Sequence, residues 1–276
     1  MGKGIFFSIP HYIAPCMRVF FFVTTLMLSC NTPQALRMDV DADTALSDAL
    51  ITAASGGHVD VVERFLAQGA AIDQRTNNGD TALHLAARAG HEAVVNILLA
   101  RGAVINQGNY HGDTPLHEAV GRGHEAVVNT LLAQGTVINQ GNNDGYTALH
   151  FAARDGHEAI ISTLLAQGAA INQGDNAGQT ALHRAARLGN AAVVNALLTP
   201  RREGQEIAAI NQRDNQGNTP LALAVSGGHA SATRVLLARG ADAVTVRNPD
   251  AQQLLEIIAR NGQPDAIAEA LLKLSR

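Results

Sequence analysis

Histidine is the residue type with which this chain could bind a metal ion or transfer a proton. Two sets recur along the sequence: His84, His117, His150 and His183 form one, and His58, His91, His124, His157 and His229 form the other. Most successive members are 33 residues apart, which places each histidine in a different structural unit. Metal ligands must converge on one ion. We therefore expect these side chains to form hydrogen bonds near helix starts, and we predict no metal site.

The motifs of hydrolases and nucleotide-binding enzymes are incomplete in this sequence. His91-Glu92 could open the His-Glu-x-x-His motif of zinc proteases, but Val95 stands where the second histidine is needed. The sequence contains no Gly-x-Ser-x-Gly turn and no phosphate-binding glycine loop. Both cysteines, Cys16 and Cys30, precede the repeating part of the chain. We predict neither catalytic residues nor a cofactor, and therefore no enzyme.

The elements that position these side chains follow a repeated pattern. Thr81 is a suitable N-cap, and Leu83, Ala86 and Ala87 lie on one face of the helix that follows. Gly90 can end this helix in the left-handed conformation. The same pattern recurs in units that begin near Asp48, Thr81, Thr114, Thr147, Thr180 and Thr219.

Each unit continues with a second helix and a loop. Glu92 opens the second helix, where an acidic residue complements the helix macrodipole. The buried stripe of this helix is predicted to contain Val94, Val95, Leu98 and Leu99. A turn at His111-Gly112 then leads into the next unit as a β-hairpin. Because a single unit cannot bury its apolar face alone, the units must stack on one another.

Together these repeated residues resemble the ankyrin repeat family. The phrases Thr-Pro/Ala-Leu-His, Gly-His, Val-Val and Gly-Ala recur in register between Asp48 and Arg276. The resemblance implies an all-α repeat solenoid, in which stacked helix-turn-helix units with β-hairpin loops carry N- and C-terminal caps. We assign residues 44–276 to this domain, with about six repeats and a C-terminal helical cap after Pro249. The fifth and sixth units begin 39 residues apart, which predicts a longer loop near Thr199 in an unbroken stack.

The N-terminal segment resembles an export signal. Arg18 precedes about ten apolar residues, too few to span a bilayer as a helix. The sequence Leu26-Met27-Leu28-Ser29-Cys30 resembles a bacterial lipoprotein cleavage box, although Met27 replaces the usual leucine. We assign residues 1–30 to this signal, with Cys30 as the candidate lipidation site, and residues 31–43 to an exposed tether. An ordinary secretory signal and a membrane-associated hydrophobic tail are the alternatives, and Met17 is an alternative start.

Composition limits the classes of partner. The formal net charge is -4, and no basic stripe with interleaved aromatic residues is present. We therefore expect no binding to nucleic acid. We expect a monomer that contacts a membrane only through its N-terminal segment. The predicted location is the periplasm or, as a lipoprotein, the membrane surface, with secretion as the alternative.

The resemblance also indicates where a partner protein would bind. Partners of ankyrin repeat proteins usually contact the hairpin tips and the exposed face of the first helices, and here the residues at those positions differ from unit to unit. The candidate partner-binding residues lie mainly in the middle units: Tyr110, His111, Asp113, Tyr146, Phe151, Arg154, Asp155, Arg184 and Arg187. Tyrosine and arginine often dominate interface energetics. We expect this locally basic, concave surface to bind a protein with acidic or C-terminal carboxylate groups; alternatively, the arginines only solubilise alanine-rich helices.

The predicted function is therefore a non-catalytic scaffold for protein–protein interaction. It would be exported and would hold or shield a partner at the cell envelope. Two alternatives are a secreted effector or inhibitor that binds a host or foreign protein, and an accessory subunit that supports an envelope enzyme. A repeat fold alone does not choose between these, because such scaffolds serve many partners.

Overall fold

The computed structural model describes residues 35–200 and 206–243, and these form a stack of helices. Twelve helices are present in this part of the chain: α1 Ala35–Ser55, α2 Val59–Ala67, α3 Ala82–Ala89, α4 Glu92–Ala100, α5 Pro115–Gly121, α6 Glu125–Ala133, α7 Ala148–Asp155, α8 Glu158–Ala166, α9 Ala181–Arg187, α10 Ala191–Leu198, α11 Pro220–Ser226 and α12 Ala230–Ala238. Residues 35–200 and 206–243 contain no strand. The predicted signal at 1–30, Cys30 and the cap after Pro249 lie outside the described residues.

Helix α1 begins earlier than the repeat pattern predicted. It is one helix of 21 residues, Ala35–Ser55, and it passes through Asp48, where a separate first unit was expected to start. Residues 35–43 of the predicted tether are helical, since Ala, Leu, Arg and Met are strong helix formers and no glycine or proline interrupts the run. Neither α1 nor any other helix in the described part is long and apolar enough to cross a membrane.

The units are built as their sequence predicts. In α3, the Thr81 side chain caps the helix by accepting a hydrogen bond from the His84 backbone, and Gly90 ends it with φ 79°. Helix α4 follows directly from Glu92. The loops before α3, α5, α7, α9 and α11 turn back on themselves, as where the Thr76 N–H donates to the Asp80 oxygen at 2.9 Å. Successive loops are joined by single backbone hydrogen bonds rather than by a β-ladder.

The helices form two parallel rows. Helices α1, α3, α5, α7, α9 and α11 make the first-helix row, each packed on the next, and the other six make the second row. Buried alanines lie along the first row, at Ala86, Ala119, Ala152, Ala185 and Ala224. Their small side chains allow neighbouring helices to approach closely. We call the exposed side of this row the first-helix face; its residues occupy the positions of Leu85, Arg88 and Ala89 in each unit.

The stack continues across the longer connection between the fifth and sixth units. Helix α9 packs on α11 and α10 packs on α12, as in the other neighbouring pairs. The Asn215 N–H donates to the Ala177 oxygen at 3.0 Å, which repeats the hairpin-to-hairpin bond of the earlier units. The prediction of an unbroken stack is therefore confirmed, while residues 201–205 of the loop lie outside the described residues.

The second helices bury one leucine of each Leu-Leu pair more deeply than the other. Leu98, Leu131 and Leu164 have no exposed surface, whereas Leu99, Leu132 and Leu165 are only partly buried against the core. The reason is helical geometry: Leu98 follows Val94 and Val95 by four and three residues and shares their face, whereas Leu99 is rotated away from Val94. The prediction that both leucines are buried is therefore wrong for Leu99, whereas in α10 both Leu197 and Leu198 are buried.

Candidate functional site

The histidines of the first set connect their own first helices to the next unit through hydrogen bonds. Nδ1 of His84 lies 3.1 Å from the Thr81 backbone nitrogen and 2.8 Å from its hydroxyl. Nε2 of His84 donates to the backbone oxygen of Asp113 in the next unit, 3.0 Å away. Three further rings repeat both contacts, namely His117, His150 and His183. The expectation of hydrogen bonding at helix starts is confirmed for all four.

These four rings are held in the neutral form. Because a carbonyl oxygen can only accept, Nε2 must carry the proton and Nδ1 must be the acceptor. Burial lowers the pKa of His84, His150 and His183, and it lowers the pKa of His117 to about 4. A neutral ring with both nitrogens occupied is poorly suited to ligate a metal ion or to transfer a proton. Within residues 35–200 and 206–243, no group of His, Cys, Asp and Glu could hold a metal ion.

The second set of histidines lies at the start of the second helices. Nε2 of three rings, His91, His124 and His229, lies 2.8–3.0 Å from a backbone oxygen of the preceding unit. These rings therefore also connect neighbouring units. His157 is different, because its buried Nε2 has no hydrogen-bond partner among the described residues. The prediction that hydrogen bonds account for every recurring histidine is wrong at this position.

Five of the nine predicted partner-binding residues form a connected group, in which Tyr146 on the hairpin joins four residues of the first-helix face. The rings of Tyr146 and Phe151 meet edge to face, with their centroids 6.4 Å apart. The Arg154 guanidinium lies 4.5 Å from the centre of the Phe151 ring and donates two hydrogen bonds, of 2.9 and 2.7 Å, to the Asp155 carboxylate. Arg184 lies over the Tyr146 ring at 4.2 Å. We call these five residues the central group.

Neighbouring units hold Phe151 in place. Its ring lies 5.2 Å from that of the buried His117, between ring centres. It also lies against Gly121, where an added Cβ would be 3.2 Å from the Phe151 ring. Other units carry Arg88, Arg154 or other side chains at the position of Gly121, so the missing side chain provides the space that Phe151 occupies.

Arg184 is the more buried of the two arginines in the central group. Its side chain is 11% exposed and forms a 2.8 Å ion pair with Asp175, whose side chain is 1% exposed. Arg184 also donates to the Tyr146 hydroxyl. Burial lowers the pKa of Arg184 to about 10, and the nearby positive charge of Arg187 acts in the same direction. Tyr146 and Arg184 are thus positioned by internal contacts before any partner arrives.

The remaining predicted residues are spread along the face and the hairpin edge. Tyr110 is 62% exposed, and its ring lies against Gly79 of the preceding hairpin. His111 is exposed on the same hairpin as Tyr110. Asp113 accepts a 2.8 Å hydrogen bond from the Asn142 amide, so it helps to join two hairpins. Arg187 is exposed at the end of α9, on the first-helix face.

Comparison with known families agrees with this architecture. A family model described as ankyrin repeats, with three copies, matches residues 23–109, 50–142, 116–209 and 175–247. Together these overlapping matches cover most of the chain. The chain belongs to the ankyrin repeat family. No curated protein matches it. Ankyrin repeat proteins generally bind other proteins and are generally non-catalytic, which agrees with the coarse functional prediction.

The ankyrin units also contain an ion-pair cluster that sequence reasoning missed. Arg88 on α3 donates to both oxygens of Glu118 on α5, at 2.7 and 2.6 Å, and pairs with Asp80 at 2.9 Å. Side-chain hydrogen bonding to Glu118 is the main cause that raises the pKa of Arg88. This contact could have been predicted from the repeat spacing. Arg88 and Glu118 are 30 residues apart, three fewer than the 33-residue repeat, so they lie opposite each other on adjacent first helices.

A shallow depression lies beside this cluster on the first-helix face of the ankyrin stack. Its volume is about 480 Å³, and it is lined by Ser55, Leu85, Arg88, Ala89, Arg122 and His124. The lining combines the apolar side chains of Leu85 and Ala89 with the guanidinium groups of Arg88 and Arg122. Because Arg88 already bonds to carboxylates of its own chain, Arg122 is the cation of this depression that an external group could use.

Proposed function

We propose that this ankyrin repeat protein is a non-catalytic scaffold that binds another protein through the first-helix face of its middle units. One observation supports the proposal above all. At the position of Ala86 every later unit also has alanine, whereas at the neighbouring position of Leu85 the later units have Glu118, Phe151, Arg184 and Leu223. Packing explains the constant position, because it is buried in every unit. The variable position is what recognition of one particular partner requires.

The contacts of the central group also support a binding role. Phe151 and Tyr146 are held by neighbouring rings and guanidinium groups, so little side-chain freedom would be lost on binding. Preorganisation of this kind lowers the entropic cost of association. Leu188, next to Arg187, leaves 48% of its surface exposed and extends the apolar part of the face.

Affinity capture with matched variants tests the proposal. The double variant Arg187→Ala/Leu188→Ala removes one exposed cation and one exposed apolar side chain from the first-helix face. The matched control, Arg101→Ala/Val104→Ala, removes the same types from the end of a second helix and its loop, where Val104 is 51% exposed. We expect a protein that is retained by the wild type and the control but lost from the first double variant. Equal retention by all three would contradict the proposed surface.

We further propose that the protein is exported and anchored through a lipid on Cys30. The support is the sequence alone: a basic residue, a short apolar run and a cysteine at the end of a lipoprotein-like box. Acyl chains on this cysteine would hold the repeat domain at a membrane surface. Metabolic labelling with a fatty-acid analogue should mark the wild type and not Cys30→Ser. Equal labelling would exclude this anchor, and recovery of unlabelled protein from the medium would favour secretion.

A further inference from the structure

The positive charges of the first-helix face are not equivalent. Five arginines lie on this face: Arg88, Arg122, Arg154, Arg184 and Arg187. Three of them are paired with carboxylates of the same chain, since Arg88 pairs with Glu118, Arg154 with Asp155 and Arg184 with Asp175. The face therefore offers less free positive charge than its arginine content suggests.

Arg122 and Arg187 are the two exceptions. Both are exposed, and among the described residues neither lies within ion-pair distance of a carboxylate. Arg122 follows the last residue of α5, and Arg187 is the last residue of α9. The positive charge of Arg187 acts on Arg184, because it contributes to the lowered pKa of that residue.

A neutral region lies between these two cations. Helix α7 separates α5 from α9 in the first row, and it carries Phe151 together with the Arg154–Asp155 pair. Neighbouring helix axes lie about 8–10 Å apart, so two steps along the row place the two cations about 16–20 Å apart. An extended peptide advances about 3.3 Å per residue and would cover this distance in five or six residues.

We infer that the partner contributes an extended acidic segment, with two carboxylates six residues apart that pair with Arg122 and Arg187; the even spacing puts both side chains on the same face of the segment. This rests on the proposed function. The residues between the two carboxylates are uncharged and partly apolar, because they face Phe151 and Leu188. An acidic residue at the centre of the segment would find no unpaired cation, because Arg154 is already paired with Asp155, so the charge pattern itself provides specificity.

The hairpin edge favours a peptide over a nucleic acid as the occupant. Asp144 is exposed on this edge, and Asp113 lies one unit before it. A phosphodiester backbone carries a charge at every nucleotide and would approach these carboxylates as well as the arginines. A peptide can place its two charges at the arginines and present neutral groups elsewhere.

Peptide display tests the inference directly. A library of random linear 12-residue peptides is selected on the full chain, and in parallel on Arg122→Gln, Arg187→Gln and Arg101→Gln. Arg101 is an exposed arginine at the end of α4, so its substitution matches the change in charge without touching the first-helix face. We expect the wild type and Arg101→Gln to enrich peptides with two acidic residues separated by five others. Each of the other two variants should lose the preference for one of the two acids.

Binding of an enriched peptide gives the quantitative result. Replacing either Arg122 or Arg187 by glutamine should weaken the peptide about fivefold, the size of one exposed ion pair, and Arg101→Gln should leave its affinity unchanged. Enriched peptides that lack paired acids, or that bind both variants normally, would overturn the inference. If those peptides are still lost with Arg187→Ala/Leu188→Ala, the binding face stands and only the charge pattern is wrong. Enrichment of no peptide, or arginine-dependent binding of a single-stranded oligonucleotide, would also contradict it.

Discussion

The guanidinium of Arg184 lies over the ring of Tyr146, 4.2 Å from the ring centre, and so joins two successive units of the stack. The same guanidinium bonds to Asp175 in the hairpin that precedes α9. Asp175 itself accepts hydrogen bonds from two backbone N–H groups of that hairpin, at 2.8 and 2.9 Å. One arginine thus connects the aromatic part of the first-helix face to a buried turn.

Asp175→Asn should destabilise the protein by about 2–3 kcal/mol. The hairpin can accept asparagine, since Asn109 and Asn142 occupy the same position in earlier units. The new amide must keep its oxygen toward the two backbone N–H groups, which turns its NH2 group toward Arg184. Two donors then face each other, and a mostly buried cation loses its partner. The shift of the urea unfolding midpoint, followed by circular dichroism, measures the loss.

A double variant provides the control for this ion pair. Leucine occupies the position of Arg184 in other units, at Leu85 and Leu223, so Arg184→Leu is compatible with the fold. Asp175→Asn/Arg184→Leu should be more stable than Asp175→Asn alone, because it removes the unpaired cation. If the loss of stability in the double variant equals the sum of the losses in Asp175→Asn and Arg184→Leu, the ion pair contributes little.

Acid should weaken the stack through its buried histidines. The pKa of His117 is about 4 in the folded protein, below the ordinary value of 6.5, because burial disfavours the charged ring. The unfolded chain therefore binds more protons than the folded chain between these two values. The contribution of His117 to the free energy of unfolding is fully present above about pH 6.5 and is lost as the pH drops toward 4. At about 1.4 kcal/mol per pKa unit, His117 alone should account for roughly 2–3 kcal/mol between pH 7 and pH 4.5.

The histidine prediction is checked with two variants. His117→Gln should be less stable at pH 7 and should lose less stability than the wild type on acidification. His111→Gln is the matched substitution of an exposed histidine on a hairpin tip and should stay within about 0.5 kcal/mol of the wild type at pH 7. Urea midpoints between pH 4.5 and 7.5 give the comparison. Identical pH dependence for the wild type and His117→Gln would contradict the role of the buried ring.

Arg88 on α3 and Arg122 directly after α5 should differ sharply in their effect on stability. Arg88→Met leaves Asp80 and Glu118, whose side chains are 3% and 15% exposed, without their shared cation. We expect a loss of about 2–3 kcal/mol, discounted from a fully buried pair because Arg88 is partly exposed. Arg122→Met should stay within about 0.5 kcal/mol of the wild type. Thermal unfolding of both variants tests the contrast, and equal effects would mean that the Arg88 cluster is not stabilising.

The paired leucines of the second helices offer a test of the core. Leu131→Ala removes a side chain with no exposed surface and should cost about 2–5 kcal/mol through the cavity it leaves. Leu132→Ala removes a partly buried side chain next to it and should cost clearly less. The difference between their urea midpoints is the measurement. A larger effect at Leu132 would mean that the helix is rotated relative to this structure.

The features of the fold that could be predicted from sequence are those set by local chemistry. Thr81 and Gly90 mark the start and end of a helix whatever surrounds them, and their recurrence defines the units. The start of α1 could not be placed in the same way. No glycine or proline breaks the chain between Ala35 and Ser55, and Ala35, Leu36, Arg37 and Met38 favour a helix upstream, so the period alone suggested a boundary at Asp48 that the helix does not have.

The candidate site was only partly predictable, because spacing assigns a residue to a face but does not choose its neighbour. Arg154 and Arg187 occupy the same position in two successive units. Arg154 is followed by Asp155 and pairs with it, whereas Arg187 is followed by Leu188 and stays exposed. Which arginine keeps its charge available therefore depends on side-chain contacts that the repeat pattern does not encode.

The affinity of the captured partner for matched variants tests the central claim most directly. Isothermal titration would compare the wild type with Arg187→Ala/Leu188→Ala on the first-helix face and Arg101→Ala/Val104→Ala on the opposite row. We predict that the first pair weakens binding about tenfold or more, while the second pair and the unfolding midpoints stay unchanged. Equal affinity for all three proteins, or a loss confined to the second pair, would contradict recognition through the first-helix face.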